Sequence, residues 1–223
     1  MIAIAPFHDR IGDRLDHPER VAPAYRHLIP DDRQRVARLL AIPIDPAAAG
    51  LDVGCGTGAI PTRIQHQFGV PMLGADGAPR PARGRPRRDT PFFFRWDVRT
   101  PYPPLHQWRT SWLLPPYRTI YCCEVLEHLT PAEASLALTH LWDLLRIAGQ
   151  LICSVPNRDC AEIYTAGCRD RWRWPDHRSV WTRDRVATAM RDRCPGAPIT
   201  WHPLYPHDTP AESIWLLWSI RRP

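Results

Sequence analysis

At 223 residues the chain holds one sizeable α/β core and falls short of two full domains. Hydrophobic content of 44% with ten Trp excludes a disordered chain, and no apolar run approaches the length of a membrane span. All 29 basic residues are Arg, so no lysine base or Schiff base is available, and a net charge of +6 weakly favours an anionic partner. Seven Cys without a C-x-x-C pair and the lack of an apolar leader segment predict a reducing, cytoplasmic setting.

Residues 1–30 hold at most two short polar helical stretches and read as an arm or lid ahead of a single domain over 31–223. Asp31 and Asp32 open a helix that carries Val36, Leu39 and Leu40 at helical spacing until Pro43 and Pro46 stop it. Residues 50–58, Gly-Leu-Asp-Val-Gly-Cys-Gly-Thr-Gly, predict a short apolar strand, a glycine-dense turn and a helix from Ile60 to Phe68. Gly54, Gly56 and Gly58 let the backbone pass close to a ligand with no Cβ in the way, and the helix start behind them offers N–H groups. The next strand, Val70 to Ala75, ends in Asp76, which either accepts from the hydroxyls of a ribose or is a plain Asp-Gly turn residue.

Arg80, Arg83, Arg85, Arg87 and Arg88 follow, either a grip on a phosphate backbone or a solvated loop. Phe92 to Trp96 reads as a third strand with Asp97-Val98 at its end, and 101–116 as an irregular stretch rich in Pro and Trp. Ile120 to Cys123 closes a buried strand in which both cysteines are small packing residues. If the chain turns helical there, Glu124, Glu127 and His128 stand at i, i+3 and i+4 on one face. Two carboxylates and an imidazole so spaced suit a divalent cation such as Mg2+ or Mn2+; they equally suit a helix cap, a solvated acid and a packed histidine.

Thr130-Pro-Ala-Glu133 is a capping box with Pro at the first helical position, and its helix is expected to run to about Ile147 with Leu138, Leu141, Leu144 and Leu145 toward a sheet. Gly149 then leads into a strand over 150–155, closed by Pro156-Asn157. A helix after Thr182 and two strands near 199–205 and 214–220 complete the order. Successive βα units followed by an antiparallel pair predict a Rossmann-like, doubly wound α/β sheet of seven strands.

Asp52 inside its strand, followed by glycines 54, 56 and 58, resembles motif I of the class I S-adenosylmethionine-dependent methyltransferases. That resemblance implies that Asp52, Gly54, Gly56, Gly58, Asp76 and Asp97 hold S-adenosylmethionine, with the glycine loop on its amino-acid end and ribose and Asp97 near its adenine. Glu124, Glu127-His128 and Val155-Pro-Asn157, together with Asp176-His177 and Trp181-Thr-Arg183, are similar to the Hen1 family of small-RNA 2′-O-methyltransferases, over roughly residues 50–190. The likeness implies that Glu124, Glu127, His128 and His177 bind one divalent metal, Mg2+ or Mn2+. Glu124, His128 and His177 would then carry the reaction, either histidine taking the proton of the ribose hydroxyl. It also implies an RNA 3′ end as partner, with an RNA-repair enzyme as a candidate companion that the sequence itself does not identify; the absence of a long apolar run predicts no membrane partner. Where that family carries Phe-Glu ahead of the Trp, this chain has Ser179-Val180. Trp172 and Trp174 either stack on a terminal base or belong to the core. A metal-independent methyltransferase of small molecules is the alternative, since such enzymes also carry Glu-x-x-Glu-His after the fourth strand. A non-catalytic binding protein is the third reading.

Overall fold

A computed structural model describes residues 29–46, 48–56, 58–77, 91–104, 114–159, 177–203 and 215–223. The arm predicted for the first 30 residues, the arginine run 80–88, most of the 101–116 stretch, and Trp172, Trp174 and Asp176 lie outside the described residues. In chain order the elements are α1 (Ile29–Ala41), β1 (Gly50–Val53), α2 (Ala59–Phe68), β2 (Met72–Asp76), β3 (Phe92–Arg95) and β4 (Tyr117–Cys123). A 3-10 turn (Leu126–His128), α3 (Pro131–Leu144), β5 (Leu145–Pro156), α4 (Arg183–Arg193), β6 (Ile199–Trp201) and β7 (Trp215–Arg221) follow.

The seven strands form one sheet in the order β3-β2-β1-β4-β5-β7-β6. The first five are parallel, and β7 enters antiparallel between β5 and β6. This is the class I methyltransferase arrangement of the doubly wound sheet. Parallel strands covered on both faces read as unbroken apolar runs, and β1 and β2 are buried along their whole length. Alternate residues feed two cores. Tyr121, Cys123, Ile152 and Leu217 meet Leu39 and Ile42 at the end of α1 and Ile64 of α2. Ile120, Cys122 and Cys153 belong to the larger core with Leu138 and Leu141 of α3 and Val186 and Met190 of α4.

Two predicted local structures differ. The helix expected to reach Ile147 stops at Leu144, because Leu145 turns extended and pairs with Tyr117 at the start of β5. The amide of Ala148, at φ 59, donates to the Arg222 carbonyl, and the Arg222 amide donates to that of Gly149. Those strand contacts outweigh the helical leucine spacing, which Leu145 satisfies from either structure by staying buried. Nor does β4 run into an α-helix: Glu124 sits at φ 57, and only Leu126–His128 form a 3-10 turn. Glu124 therefore does not share a helical face with Glu127 and His128. Capping Thr130 and Glu133 do form the predicted reciprocal box. No helix among the described residues is long and apolar enough to cross a membrane.

Candidate active site

The strand order reverses between β1 and β4, and in such sheets ligands bind beyond the carboxyl ends of the strands at that reversal. Parallel pairing of Val53 with Cys122 brings the glycine loop after β1 and the acidic turn after β4 to the same edge of the sheet.

On the β1 side, Gly54, Gly56 and Gly58 take φ values of 73, 50 and 82, which side chains with a Cβ rarely adopt. The loop is pinned from β2: the amides of Gly54 and Cys55 both donate to the Ala75 carbonyl, at 2.8 and 3.1 Å, and the Gly56 amide donates to Oδ2 of Asp76 at 2.9 Å. Asp76 thus shapes the loop as well as standing at the tip of its strand. A Cβ on Gly58 would fall 2.4 Å from the ring of Phe93, and one on Gly74 would fall 2.5 Å from it. Phe93, the register partner of Gly74 on β3, is a site residue that sequence reasoning missed; the signal was an aromatic facing a strand glycine.

Asp52 lies in β1 between Gly74 and Tyr121, 1% exposed, and its Oδ2 has no hydrogen-bond partner among the described residues. Burial pushes its carboxyl well above the usual range, and the charge of Asp76 adds to this. A buried carboxylate oxygen without a donor is costly, and a cationic group such as the ammonium of an amino acid would relieve it. The donor pattern of this loop and this orphaned oxygen therefore fit the amino-acid end of S-adenosylmethionine. Asp97 is differently engaged: the Arg99 guanidinium reaches its carboxylate oxygens at 2.6 to 3.1 Å and holds its pKa below the ordinary value. Arg99 also bonds Glu133, which in turn accepts Arg178 at 2.8 Å, so a chain of charges runs from the end of β3 to the segment that bears His177.

On the β4 side, Glu127, His128 and His177 place ligating atoms within 4.8 Å of one another. The His128 and His177 rings meet edge to face, with centroids 4.9 Å apart. Glu127 and His128 are buried, and His177 is half-buried. The 177–181 segment is fastened to the turn by its own backbone. The amides of Arg178 and Ser179 both donate to the Glu127 carbonyl, at 2.8 and 3.0 Å. Ser179 Oγ donates to the Leu126 carbonyl and accepts from Trp181 Nε1, each at 3.0 Å. Beyond it, Trp181 bridges to Asn157, and the Arg158 amide donates to the Trp181 carbonyl. Ser179, which departs from the Hen1 pattern, is therefore the peg that sets His177 against His128.

Oε2 of Glu127 is buried without a hydrogen-bond partner among the described residues. Desolvation raises its pKa well above the ordinary range, and the nearby Glu124 charge raises it further. One such carboxylate with two imidazoles is a donor set that fits a divalent first-row cation. Glu124 stands outside this group. Its Oε1 accepts from Ser154 Oγ and from Arg35 of α1, each at 2.9 Å, and its Oε2 accepts from Trp215 Nε1 at 2.7 Å. Arg35, Ser154 and Trp215 were not anticipated from sequence. The one available signal was an arginine on the apolar stripe of α1, four residues before Leu39 and seven before Ile42.

Several solved structures share this architecture. The magnesium protoporphyrin IX methyltransferase of Synechocystis PCC 6803, with bound S-adenosylhomocysteine, matches at TM-score 0.62 and 17% identity over 92% of this chain and 89% of that one. The methyltransferase domain of a bacterial Hen1 matches at TM-score 0.60 and 17% identity over 86% of this chain and 99% of that one. The N-methyltransferase NodS of Bradyrhizobium japonicum WM9, also with S-adenosylhomocysteine, matches at TM-score 0.56 and 19% identity, covering 87% and 88%. No curated protein matches in sequence. The family described as "Methyltransferase domain" matches residues 24–193, and the chain belongs to it.

Proposed function

We propose that this protein transfers the methyl group of S-adenosylmethionine to the 2′-hydroxyl of the 3′-terminal ribose of an RNA, with a divalent cation at Glu127, His128 and His177. The observation that supports the reading is the meeting of those three side chains at the sheet edge that also carries the glycine loop. S-adenosylmethionine supplies a sulfonium-activated methyl when bound, and a bound cation would supply the Lewis acidity that acidifies the ribose hydroxyl. The glycine loop and Asp76 hold the amino-acid and ribose portion of the cofactor, with the Asp52 carboxylate answering its ammonium. Asp97 marks the adenine end. Glu127 and His128, both buried, would hold the cation from the β4 side, and His177 would close the site from the opposite segment. The hydroxyl would give up its proton as its oxygen takes the methyl from the sulfonium, leaving the neutral thioether behind. His177, half-buried where His128 is buried, would mark the open side of the site, through which the hydroxyl proton leaves to solvent.

A metal-independent reaction on a small molecule is the second reading, favoured by the likeness of the fold, at TM-scores of 0.62 and 0.56, to two enzymes whose names carry no RNA. One assay separates the two. Short synthetic RNAs ending in a 2′,3′-diol, a 3′-phosphate or a 3′-deoxyribose are offered with Mn2+ or with EDTA. Methylation of the diol alone, abolished by EDTA, is the expected result. Methylation of none of them, together with turnover of small metabolites in EDTA, would replace this reading with the second.

A further inference from the structure

We infer that Tyr121 is a positioning residue for the cofactor: its hydroxyl is the donor that supports the Asp52 carboxylate when the ammonium of S-adenosylmethionine is bound. This rests on the cofactor reading above and on neither the cation nor the RNA. Asp52 and Tyr121 are register partners on β1 and β4, and Phe93, Gly74, Asp52, Tyr121 and Ile152 stand in one row across the five parallel strands. Partners on neighbouring strands lie about 4.8 Å apart and turn their side chains to the same face. That face is the one α1 and α2 cover, since Tyr121 and Ile152 pack with Leu39, Ile42 and Ile64. On the β2 side Gly74 brings no side chain, and the ring of Phe93 fills the space beside it. Tyr121 is thus the polar neighbour that Asp52 has within its own row.

An ammonium engages one side of a carboxylate, and the other oxygen of a buried carboxylate still needs a donor. The amides of Gly54, Cys55, Gly56 and Gly58 are already committed. The first two donate to the Ala75 carbonyl, the third to Oδ2 of Asp76 and the fourth to the Cys55 carbonyl. Tyr121 has the capacity these amides lack. It is 0% exposed, and its hydroxyl, like Oδ2 of Asp52, has no hydrogen-bond partner among the described residues. Burial raises the pKa of that hydroxyl, and the charges of Cys123 and Asp52 raise it further, so it remains a donor at physiological pH. An unpartnered phenol in a core is less stable than a phenylalanine of the same shape. The hydroxyl gains its use once Asp52 is ionised beside the ammonium. Asp52 then accepts from the cofactor on one side and from Tyr121 on the other, which fixes the amino-acid end against the glycine loop. Tyr121, fully buried, acts through Asp52 and does not itself touch the cofactor.

Calorimetry on the full chain tests this with S-adenosylhomocysteine, with decarboxylated S-adenosylmethionine, which keeps the ammonium, and with 5′-methylthioadenosine, which lacks the whole amino-acid end. Tyr121→Phe should weaken the first two by about tenfold and 5′-methylthioadenosine by less than about twofold. In a chain that already carries Asp52→Asn, adding Tyr121→Phe should change affinity little, because the hydroxyl acts through the carboxylate. The unfolding temperature of ligand-free Tyr121→Phe should be unchanged or higher, since only an unpartnered hydroxyl is lost. Equal weakening of all three ligands, or of none, would overturn the inference, as would additivity of the two substitutions. A lower unfolding temperature with unchanged affinities would make Tyr121 a purely structural residue and overturn it as well. Failure of the wild-type protein to bind any of the three is a different result: the cofactor reading itself falls, and the role of Tyr121 falls with it.

Discussion

The main-chain oxygen of Glu127 accepts the amide of Ser179 at 3.0 Å, while the Ser179 hydroxyl reaches back to the carbonyl of Leu126 at 3.0 Å. This double tie fixes the distance between the acidic turn after β4 and the only described histidine that approaches it from elsewhere in the chain. Ser179→Ala removes a buried donor to Leu126 and the acceptor of Trp181 Nε1. It should cost about 1–3 kcal/mol of stability, read by denaturant unfolding. Mn2+ affinity should fall with it, because His177 loses its anchor; stability loss with unchanged Mn2+ affinity would separate the peg from the site.

Asp52 gives a prediction of opposite signs. Its buried, unpartnered Oδ2 destabilises the unliganded fold, so Asp52→Asn should leave the unfolding temperature unchanged or higher. The same change should weaken S-adenosylmethionine by about 10-fold or more in calorimetry, through the loss of a charge-assisted contact. Lower stability together with intact cofactor affinity would mean that the carboxylate is structural.

Asp76→Ala should weaken S-adenosylmethionine by about 1.5–3 kcal/mol, the scale of a hydrogen bond to a charged group. Because Oδ2 also receives the Gly56 amide, Asp76→Asn should fall between wild type and Asp76→Ala. A defect in turnover with unchanged binding would contradict the placement of Asp76 at the cofactor.

Glu133 provides a pH signature. The Thr130 amide and hydroxyl, with Arg99 and Arg178, hold its carboxyl at about 2 against an ordinary 4.5. Folding favours its ionised form, so its contribution is full above pH 4.5 and is lost as the pH falls toward 2. Glu133→Gln should lower stability at neutral pH and flatten the stability profile across that acid window. An unchanged acid slope would show that the capping carboxylate carries no such linkage.

The parallel sheet was legible because buried strands write themselves as apolar runs, and because an aspartate and three glycines at fixed spacing admit few backbones. The approach of His177 to Glu127 and His128 was legible only as a motif, since no local periodicity reports a contact between 3-10 turn and distant segment. What could not be read was the side-chain partnership. Glu124 has the same spacing to Glu127 and His128 whether it faces them or Arg35, and a positive φ at a glutamate leaves no trace in composition. The end of α3 was missed for a related reason: its leucines stay buried in helix or strand, and pairing with Tyr117 and the C-terminal residues decides which.

The central claim is that His177 closes a cation site on Glu127 and His128, and its most direct measurement is Mn2+ binding by His177→Ala. The account predicts Mn2+ affinity lower by about 100-fold, S-adenosylmethionine affinity and unfolding temperature nearly unchanged, and RNA methylation partly restored at raised Mn2+. A variant that instead loses thermal stability while keeping its turnover and its indifference to EDTA would contradict it.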